Sequence, residues 1–173
     1  MPQTAGGEII SGSDKNATTS RLSWHAPAEE AYEGLRRSRD HLALVRGPRA
    51  NEVVSQWAEL HGTMAVSVGQ RLTQVDSAVR NPASALCGSP FLIHLDVLFW
   101  PDLNVDPLDL LRELARREPV IAAWPGEISK GRASYSQPGR RDYYETPLPE
   151  VVVFGTKQTI FPDEVAFEVE ECR

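Results

Sequence analysis

The chain has 173 residues, 41% of them hydrophobic and 24% charged, which is typical of one globular domain that needs neither disulfides nor metal for its core. Its net charge of −6 argues against a general nucleic-acid binder, because such proteins carry excess Lys and Arg to neutralise phosphates. No apolar run approaches about 20 residues and no basic segment precedes an apolar one, so we expect a cytoplasmic protein without a membrane anchor. Cys87 and Cys172 stand alone and are interpreted as plain thiols.

The first half of the chain predicts a tail followed by alternating helices and strands. Residues 1–20 are rich in Gly, Ser and Thr without an apolar period, so we expect a disordered tail, with a single domain over 21–173. Apolar spacing then predicts helices at 28–39, 51–61 and 70–79, and strands at 41–45 and 63–68. Gly62 stands where a helix cap is expected, and Asn81–Pro82 where the next helix stops.

The second half continues the alternation. A strongly apolar strand is predicted at 91–95 and ends in Asp96, and further strands are predicted at 119–123 and 151–154. Asp106 followed by Pro107 predicts the start of a helix with an apolar stripe through Leu114. Residues 159–170 alternate in part and predict a C-terminal edge strand or hairpin. The pattern predicts an α/β fold: a mainly parallel sheet of about five strands, covered by helices on both faces.

Open parallel sheets bind ligands at the carboxyl ends of their strands, which directs attention to residues 47–54 after the first strand. In the phosphate-binding loop GxxxxGK[ST] of P-loop NTPases, amides cradle phosphates, the lysine neutralises them and the hydroxyl binds magnesium. Here Gly47 opens the window, but Glu52, Val53 and Val54 replace the second glycine, the lysine and the hydroxyl. The sequence therefore predicts a P-loop NTPase-like domain whose loop is degenerate and unsuited to nucleotide hydrolysis.

A residual nucleotide site, if there is one, would use Gly47, Arg49, Asn51 and Asp96, with Asp96 also positioning magnesium at the end of its strand. The simpler interpretation of Arg49 is an ordinary strand-to-helix turn, and buried strands also end in Asp by chance. We expect no cofactor, with ATP and Mg²⁺ as the alternative. His94, inside the same strand, is interpreted as a core or partly buried histidine without chemistry.

A second group of residues predicts contact with a partner protein or DNA. The stretch Tyr135 to Tyr144 is typical of a loop with exposed aromatics and cations, the latter being Arg140 and Arg141. For Trp124, at the end of a strand, packing and a partner-facing position are both open. Given the acidic net charge, any DNA contact would be local, and the candidate arginine clusters are Arg36, Arg37 and Arg39, then Arg112, Arg116 and Arg117, then Arg140 and Arg141.

Several motifs, taken together in order and spacing, resemble BrxF, the small P-loop-containing protein of BREX (bacteriophage exclusion) defence systems. They lie within residues 42–154 and are Leu95–Phe99, Asp106–Leu108 with Leu110–Leu111, Val120–Trp124 with Gly126, Tyr135, Pro138–Gly139 and Tyr143. The resemblance implies antiphage defence in company with a DNA methyltransferase, a PglZ-type protein and a large ATPase. It places the Walker A position on 47–54, where this chain departs from the pattern, and a Walker B-like position on Asp96, which is kept.

Three functions follow from these observations. The favoured one is a non-catalytic component of a defence complex, in which a degenerate P-loop scaffold binds partner proteins and, in a homo-oligomer, itself. The alternatives are a nucleotide-binding ATPase or switch subunit, and a DNA-contacting module of the same system. Whether the chain is an enzyme stays open, with the non-enzymatic interpretation favoured by the missing Walker A lysine and hydroxyl.

Overall fold

A computed structural model describes residues 32–33, 35–36, 41–74, 81–148, 151–158 and 165–172. The tail predicted at 1–20 lies outside these residues, as do the side chain of Cys172 and most of the helix predicted at 28–39. Within that predicted helix, the described positions are helical. No helix in the described ranges combines the length and apolar character needed to cross a membrane.

Besides the helical positions at 32–33 and 35–36, the described ranges contain nine strands, four α-helices and two short 3₁₀ segments. The strands are β1 (Leu42–Arg46), β2 (Val66–Ser67), β3 (Phe91–Ile93), β4 (Val120–Ala123), β5 (Glu127–Ser129), β6 (Arg132–Tyr135), β7 (Tyr144–Pro147), β8 (Val151–Gln158) and β9 (Val165–Cys172). The α-helices are α1 (Ala50–Leu60), α2 (Val68–Gln74), α3 (Pro82–Leu86) and α4 (Pro107–Ala115), and the 3₁₀ segments are Leu95–Phe99 and Pro101–Leu103.

The main sheet has six strands in the order β2-β3-β4-β1-β8-β9. The first five run parallel, and β9 pairs antiparallel with β8 at the edge, as the predicted C-terminal edge strand requires. β1 is central, with Leu44 opposite Ala122 of β4 on one side and Val153 of β8 on the other. The loop that follows β1 therefore opens at the middle of the carboxyl edge.

Two apolar cores lie on opposite faces of this sheet, and β1 contributes to both. Leu42 and Leu44 pack with α2, α3 and α4, whereas Ala43 and Val45 pack with α1 around Trp57. Successive side chains of a strand point to opposite faces, so a strand covered on both sides must be apolar throughout. The prediction of a parallel α/β sheet with helices on both faces is confirmed.

Two helix starts show how polar residues fix the boundaries. Asp106 caps α4 by accepting a hydrogen bond from the Asp109 amide at 2.9 Å, and Pro107 occupies its first turn, as predicted. Asn81 accepts a bond from the Ser84 amide at 3.1 Å, so Asn81–Pro82 begins α3 instead of only stopping the preceding helix. The sequence prediction missed α3 because Asn-Pro is typical of helix stops and starts alike.

Two predicted strands are shorter than expected. The strand predicted at 63–68 forms only Val66–Ser67, and α2 begins at once at Val68, while the end predicted for that helix lies outside the described residues. The strand predicted at 91–95 ends at Ile93, because His94 takes a left-handed conformation (φ 53°) and a 3₁₀ segment follows. His94 is exposed, so its interpretation as a core or partly buried histidine is wrong.

A second sheet, β5-β6-β7, is antiparallel and was not predicted; the loop indicated at 135–144 is the connection between β6 and β7. Its Ile128 and Ala133 are buried in the same core as α4, which attaches this sheet to the main one. Gly126 lies so close to β6 that a Cβ atom would be 1.8 Å from the Ser134 carbonyl oxygen. The indole N–H of Trp124 donates to that same oxygen at 3.1 Å, so both residues fasten the second sheet beside the end of β4.

Candidate functional site

The turn between β1 and α1 is only Gly47–Pro48–Arg49, since α1 already begins at Ala50. A phosphate-binding loop needs the longer GxxxxG span before its lysine and hydroxyl. Here Val53 and Val54, at the positions of that lysine and hydroxyl, lie inside α1 and are fully buried against the sheet. A side chain at either position therefore points into the core and away from the carboxyl edge.

Thr156 of β8 holds this turn. Its buried hydroxyl lies 2.6 Å from the Pro48 carbonyl oxygen and 3.0 Å from that of Arg46, close enough to donate to either. Gly47 has φ 102°, and a Cβ atom there would be 2.5 Å from the Thr156 carbonyl oxygen. Only glycine fits such a close approach in this conformation. The turn's carbonyl groups thus have partners within the protein.

Arg49 and Glu52 form the charged part of the turn. Arg49 has a left-handed backbone (φ 65°), and its Nε donates to Glu52 Oε2 at 2.6 Å. Glu52 lies in the first turn of α1, where the helix dipole favours a negative charge. A bound phosphate would be stabilised by the same dipole and the same guanidinium. The chain's own carboxylate therefore uses the interactions that a phosphate would need.

Asn51 and Asp96 are also engaged. The Asn51 side-chain oxygen accepts a hydrogen bond from the His94 amide at 3.0 Å, which joins α1 to the end of β3. The Asp96 carboxylate accepts one from the Tyr135 hydroxyl at 3.4 Å. Burial, and then the negative charge of Asp96, raise the pKa of Tyr135. Asp96 lies in a 3₁₀ segment and not at a strand end, which corrects the predicted placement.

All four residues predicted for a nucleotide site, Gly47, Arg49, Asn51 and Asp96, line one cleft of about 580 Å³, hereafter the carboxyl-edge cleft. Glu52 and His94 complete its polar wall. Within the described part of the chain, no group of three His, Cys, Asp or Glu side chains lies close enough to hold a metal ion. Magnesium at Asp96 would therefore take its other oxygen ligands from water or a bound phosphate.

An aromatic cluster closes the cleft on the side of the second sheet. Phe99 stacks on Tyr135 at 4.0 Å between ring centroids and meets Trp124 edge-on at 5.3 Å. Trp124 is 1% exposed, so the structure favours packing over the partner-facing position for this residue. Tyr135 is likewise half-buried and engaged with Asp96, which leaves little of it for a partner.

Tyr144 forms a second bond of the same type, which joins the second sheet to the start of α4. Its hydroxyl donates to Asp106 Oδ1 at 2.9 Å, the oxygen that also caps α4. Burial, and then the hydrogen bond to Asp106, raise the pKa of Tyr144 well above its ordinary value. Tyr135 and Tyr144 are paired neighbours on β6 and β7, so both hydroxyls fasten one end of the second sheet.

Two of the three remaining predicted contact residues lie at a separate groove of about 350 Å³, hereafter the aromatic groove. Arg141 and Tyr143 line it, and Tyr143 is 37% exposed. Arg140 is exposed and pairs with Asp142 at 3.2 Å. The groove also contains Trp100, 62% exposed, which the sequence prediction missed. The sequence signal for this exposed residue was the pair Trp100–Pro101 directly after an apolar run, a position at which a side chain can point away from the core.

Comparison with known proteins adds no relative: no family model, curated protein or solved structure matches the chain. The function is therefore inferred from the geometry of the carboxyl-edge cleft and the aromatic groove. The likeness to BrxF stays a prediction from the sequence.

Proposed function

We propose that the chain is a non-catalytic, partner-binding component of a BREX-like antiphage defence complex, built on a degenerate P-loop NTPase-like fold. The observation that carries this proposal is the Glu52 carboxylate, which lies in the first turn of α1 and pairs with Arg49 at 2.6 Å. A nucleotide phosphate at this place would have to displace or face that carboxylate, at a cost in electrostatic repulsion. The charged side chains at this turn are thus paired with each other without a ligand.

The surrounding fold supports the P-loop part of the proposal. A central parallel strand, a glycine turn and a helix follow one another at the carboxyl edge, the arrangement from which phosphate-binding loops are built. The short turn and the buried Val53 and Val54 support the proposed loss of the phosphate-binding function, because neither side chain points to the carboxyl edge. A fold that keeps its sheet and whose ligand position is occupied by its own side chains is suited to binding partner proteins.

The expected partners are those that the resemblance to BrxF implies: a DNA methyltransferase, a PglZ-type protein and a large ATPase. The test is to express the tagged chain together with each of these proteins and to purify on the tag and, reciprocally, on the partner. At least one stable complex is expected, and it should form equally well without nucleotide. A chain that stays a solitary monomer in every combination would contradict the proposal.

A nucleotide-binding switch is the second candidate, favoured by the cleft that gathers Gly47, Arg49, Asn51 and Asp96. Thermal unfolding with and without millimolar Mg·ATP, Mg·ADP or Mg·GTP distinguishes a nucleotide-binding switch from a scaffold that binds no nucleotide. A ligand at about 100 times its dissociation constant stabilises by roughly 2.7 kcal/mol, a readily measured shift. The scaffold predicts no shift.

If a shift is found, two variants locate the ligand. Asp96→Ala should abolish the shift if the nucleotide lies in the carboxyl-edge cleft. Asp102→Ala serves as the matched control, because it removes an exposed carboxylate of the neighbouring 3₁₀ segment that does not line the cleft. Loss in the first variant and retention in the second would establish the switch and set aside the scaffold.

A further inference from the structure

The aromatic groove lies outside the degenerate loop and presents two aromatic side chains to solvent. Trp100 stands between the two 3₁₀ segments, and Tyr143 stands in the turn before β7. They are 62% and 37% exposed and line the same cavity of about 350 Å³. Single exposed apolar residues are ordinary, but two aromatics sharing a concave surface indicate a binding site.

The charges of the groove leave one cation available. The Asp106 carboxylate already accepts bonds from Tyr144 and from the α4 backbone. Asp142 accepts a bond from the Ser136 hydroxyl at 2.9 Å and pairs with Arg140. These contacts, the Ser136 bond foremost, hold the pKa of the Asp142 carboxyl below its ordinary value.

Arg141 is different. It is exposed, lines the groove and, in the described ranges, forms neither an ion pair nor a side-chain hydrogen bond. Trp100 likewise has no hydrogen-bond partner for its indole N–H among the described residues. The groove therefore offers a guanidinium to a negative group and an indole to an apolar group that also carries an acceptor.

Among possible occupants, these features favour a peptide over nucleic acid. A nucleic-acid strand would bring a row of phosphates beside Asp106 and Asp142 on a chain of net charge −6, where like charges repel. A peptide can present a single carboxylate to Arg141. Exposed aromatic grooves bind proline-containing extended segments, whose carbonyls accept bonds from Trp. Trp, Tyr and Arg are also the residues that dominate protein–protein binding energy.

We propose that the aromatic groove binds an extended segment of a partner protein in which an Asp or Glu pairs with Arg141 and an adjacent proline packs on Trp100. This inference rests on the proposed function, because it specifies how the scaffold holds a partner. It assigns the binding surface to Trp100, Arg141 and Tyr143, and leaves the carboxyl-edge cleft outside the contact.

The test begins with a phage-displayed library of random short peptides selected on the purified full chain. Enriched peptides should contain Asp or Glu next to Pro, and one synthetic peptide from the selection is titrated against variants. Trp100→Ala and Arg141→Ala should each weaken its binding about tenfold or more. Arg116→Ala, which removes an exposed cation at the other end of α4, should leave binding unchanged.

A charge reversal sharpens the assignment. Repeating the selection on Arg141→Glu should replace the acidic residue of the enriched peptides by Lys or Arg. Selection of basic peptides by the wild-type chain, an absence of enrichment, or binding indifferent to Trp100→Ala and Arg141→Ala would each overturn the proposal. So would tight binding of a single-stranded oligothymidine that Trp100→Ala removes, which would assign the groove to nucleic acid.

The co-purification experiment separates this inference from the proposed function. If defence proteins co-purify equally with the wild-type chain, Trp100→Ala and Arg141→Ala, the proposed peptide binding in the aromatic groove is wrong, and the proposed partner-binding function is retained. If the selected acidic peptides bind as described but no defence protein co-purifies, peptide binding in the aromatic groove is supported and the proposed defence role is contradicted. Circular dichroism of the two variants confirms that they are folded, as expected for exposed positions.

Discussion

The carboxyl-edge cleft and the aromatic groove adjoin the same pair of rings, yet they differ in how their polar groups are satisfied. Trp124 borders the cleft and Phe99 the groove, and the two rings meet edge-on at 5.3 Å. In the cleft, Arg49 pairs with Glu52, and Asp96 with Tyr135. In the groove, Arg141 has no such partner in the described ranges. The carboxyl-edge cleft is the larger cavity and lies where a ligand site was expected. Its polar groups are nevertheless less available to a ligand than those of the aromatic groove.

The shared ring pair gives the largest expected effect. Phe99→Ala removes the ring that stacks on Tyr135 and contacts Trp124, and should destabilise the protein by about 3–5 kcal/mol, the usual cost for a buried Phe. The adjacent Trp100→Ala should change stability by less than about 0.5 kcal/mol, since Trp100 is exposed. Urea unfolding followed by circular dichroism measures both. Equal effects at the two positions would contradict the assignment of Phe99 to the core and Trp100 to the groove.

The turn of the cleft should be the next most sensitive feature. Gly47→Ala combines a left-handed backbone with a Cβ atom 2.5 Å from the Thr156 carbonyl oxygen. Gly62→Ala is the matched control, because it has φ 68° but open space around its Cβ. Chemical denaturation should show that Gly47→Ala costs about 1–3 kcal/mol more than the control, the range for overpacking. Equal costs would mean that Thr156 does not hold the turn.

Tyr144, which joins the second sheet to the start of α4, predicts that stability falls at alkaline pH. The pKa of Tyr144 is raised in the folded state, so between its unfolded value of about 10 and its folded value only the unfolded chain loses this proton. The stability that Tyr144 contributes is thus complete below about pH 10 and is lost as the pH rises further.

The stability difference between the wild-type chain and Tyr144→Phe tests this effect. The difference should be constant from about pH 7 to 9 and shrink above about pH 10, because the variant has no hydroxyl to ionise. Unfolding free energies measured across this range give the comparison. A difference that did not change with pH would show that the hydroxyl of Tyr144 ionises equally in both states.

The sequence predicted those elements of the fold whose pattern lies within a few neighbouring residues, and it missed those that depend on contacts distant in sequence. The apolar runs of β1 and β4 and the Asp106–Pro107 start of α4 are local, and they were predicted correctly. The second sheet was missed because its short strands contain few apolar residues: Ile128 is the one buried side chain of β5, and Ala133 that of β6. Their burial depends on contacts with α4, far away in sequence.

The candidate site was predicted in part, for the same reason. Gly47, Arg49, Asn51 and Asp96 were expected together because carboxyl ends of parallel strands share an edge, and they line one cleft. The long-range partners that engage them gave no local signal. Thr156 reaches the turn from β8, more than a hundred positions later, and Tyr135 reaches Asp96 from a sheet that was not predicted.

The smallest expected effect tests whether the cleft is internally paired. Because Arg49 and Glu52 are 37% and 56% exposed and form an i,i+3 pair, their coupling energy should be about 0.2–1 kcal/mol and should decrease with salt. A double-mutant cycle with Arg49→Ala and Glu52→Ala measures it. The matched cycle for Arg141 and Asp142 should give about zero by the same reasoning, since Asp142 pairs with Arg140 instead. Coupling at Arg141 as large as at Arg49 would show that the groove's cation is also occupied from within, and would remove the difference between the two regions.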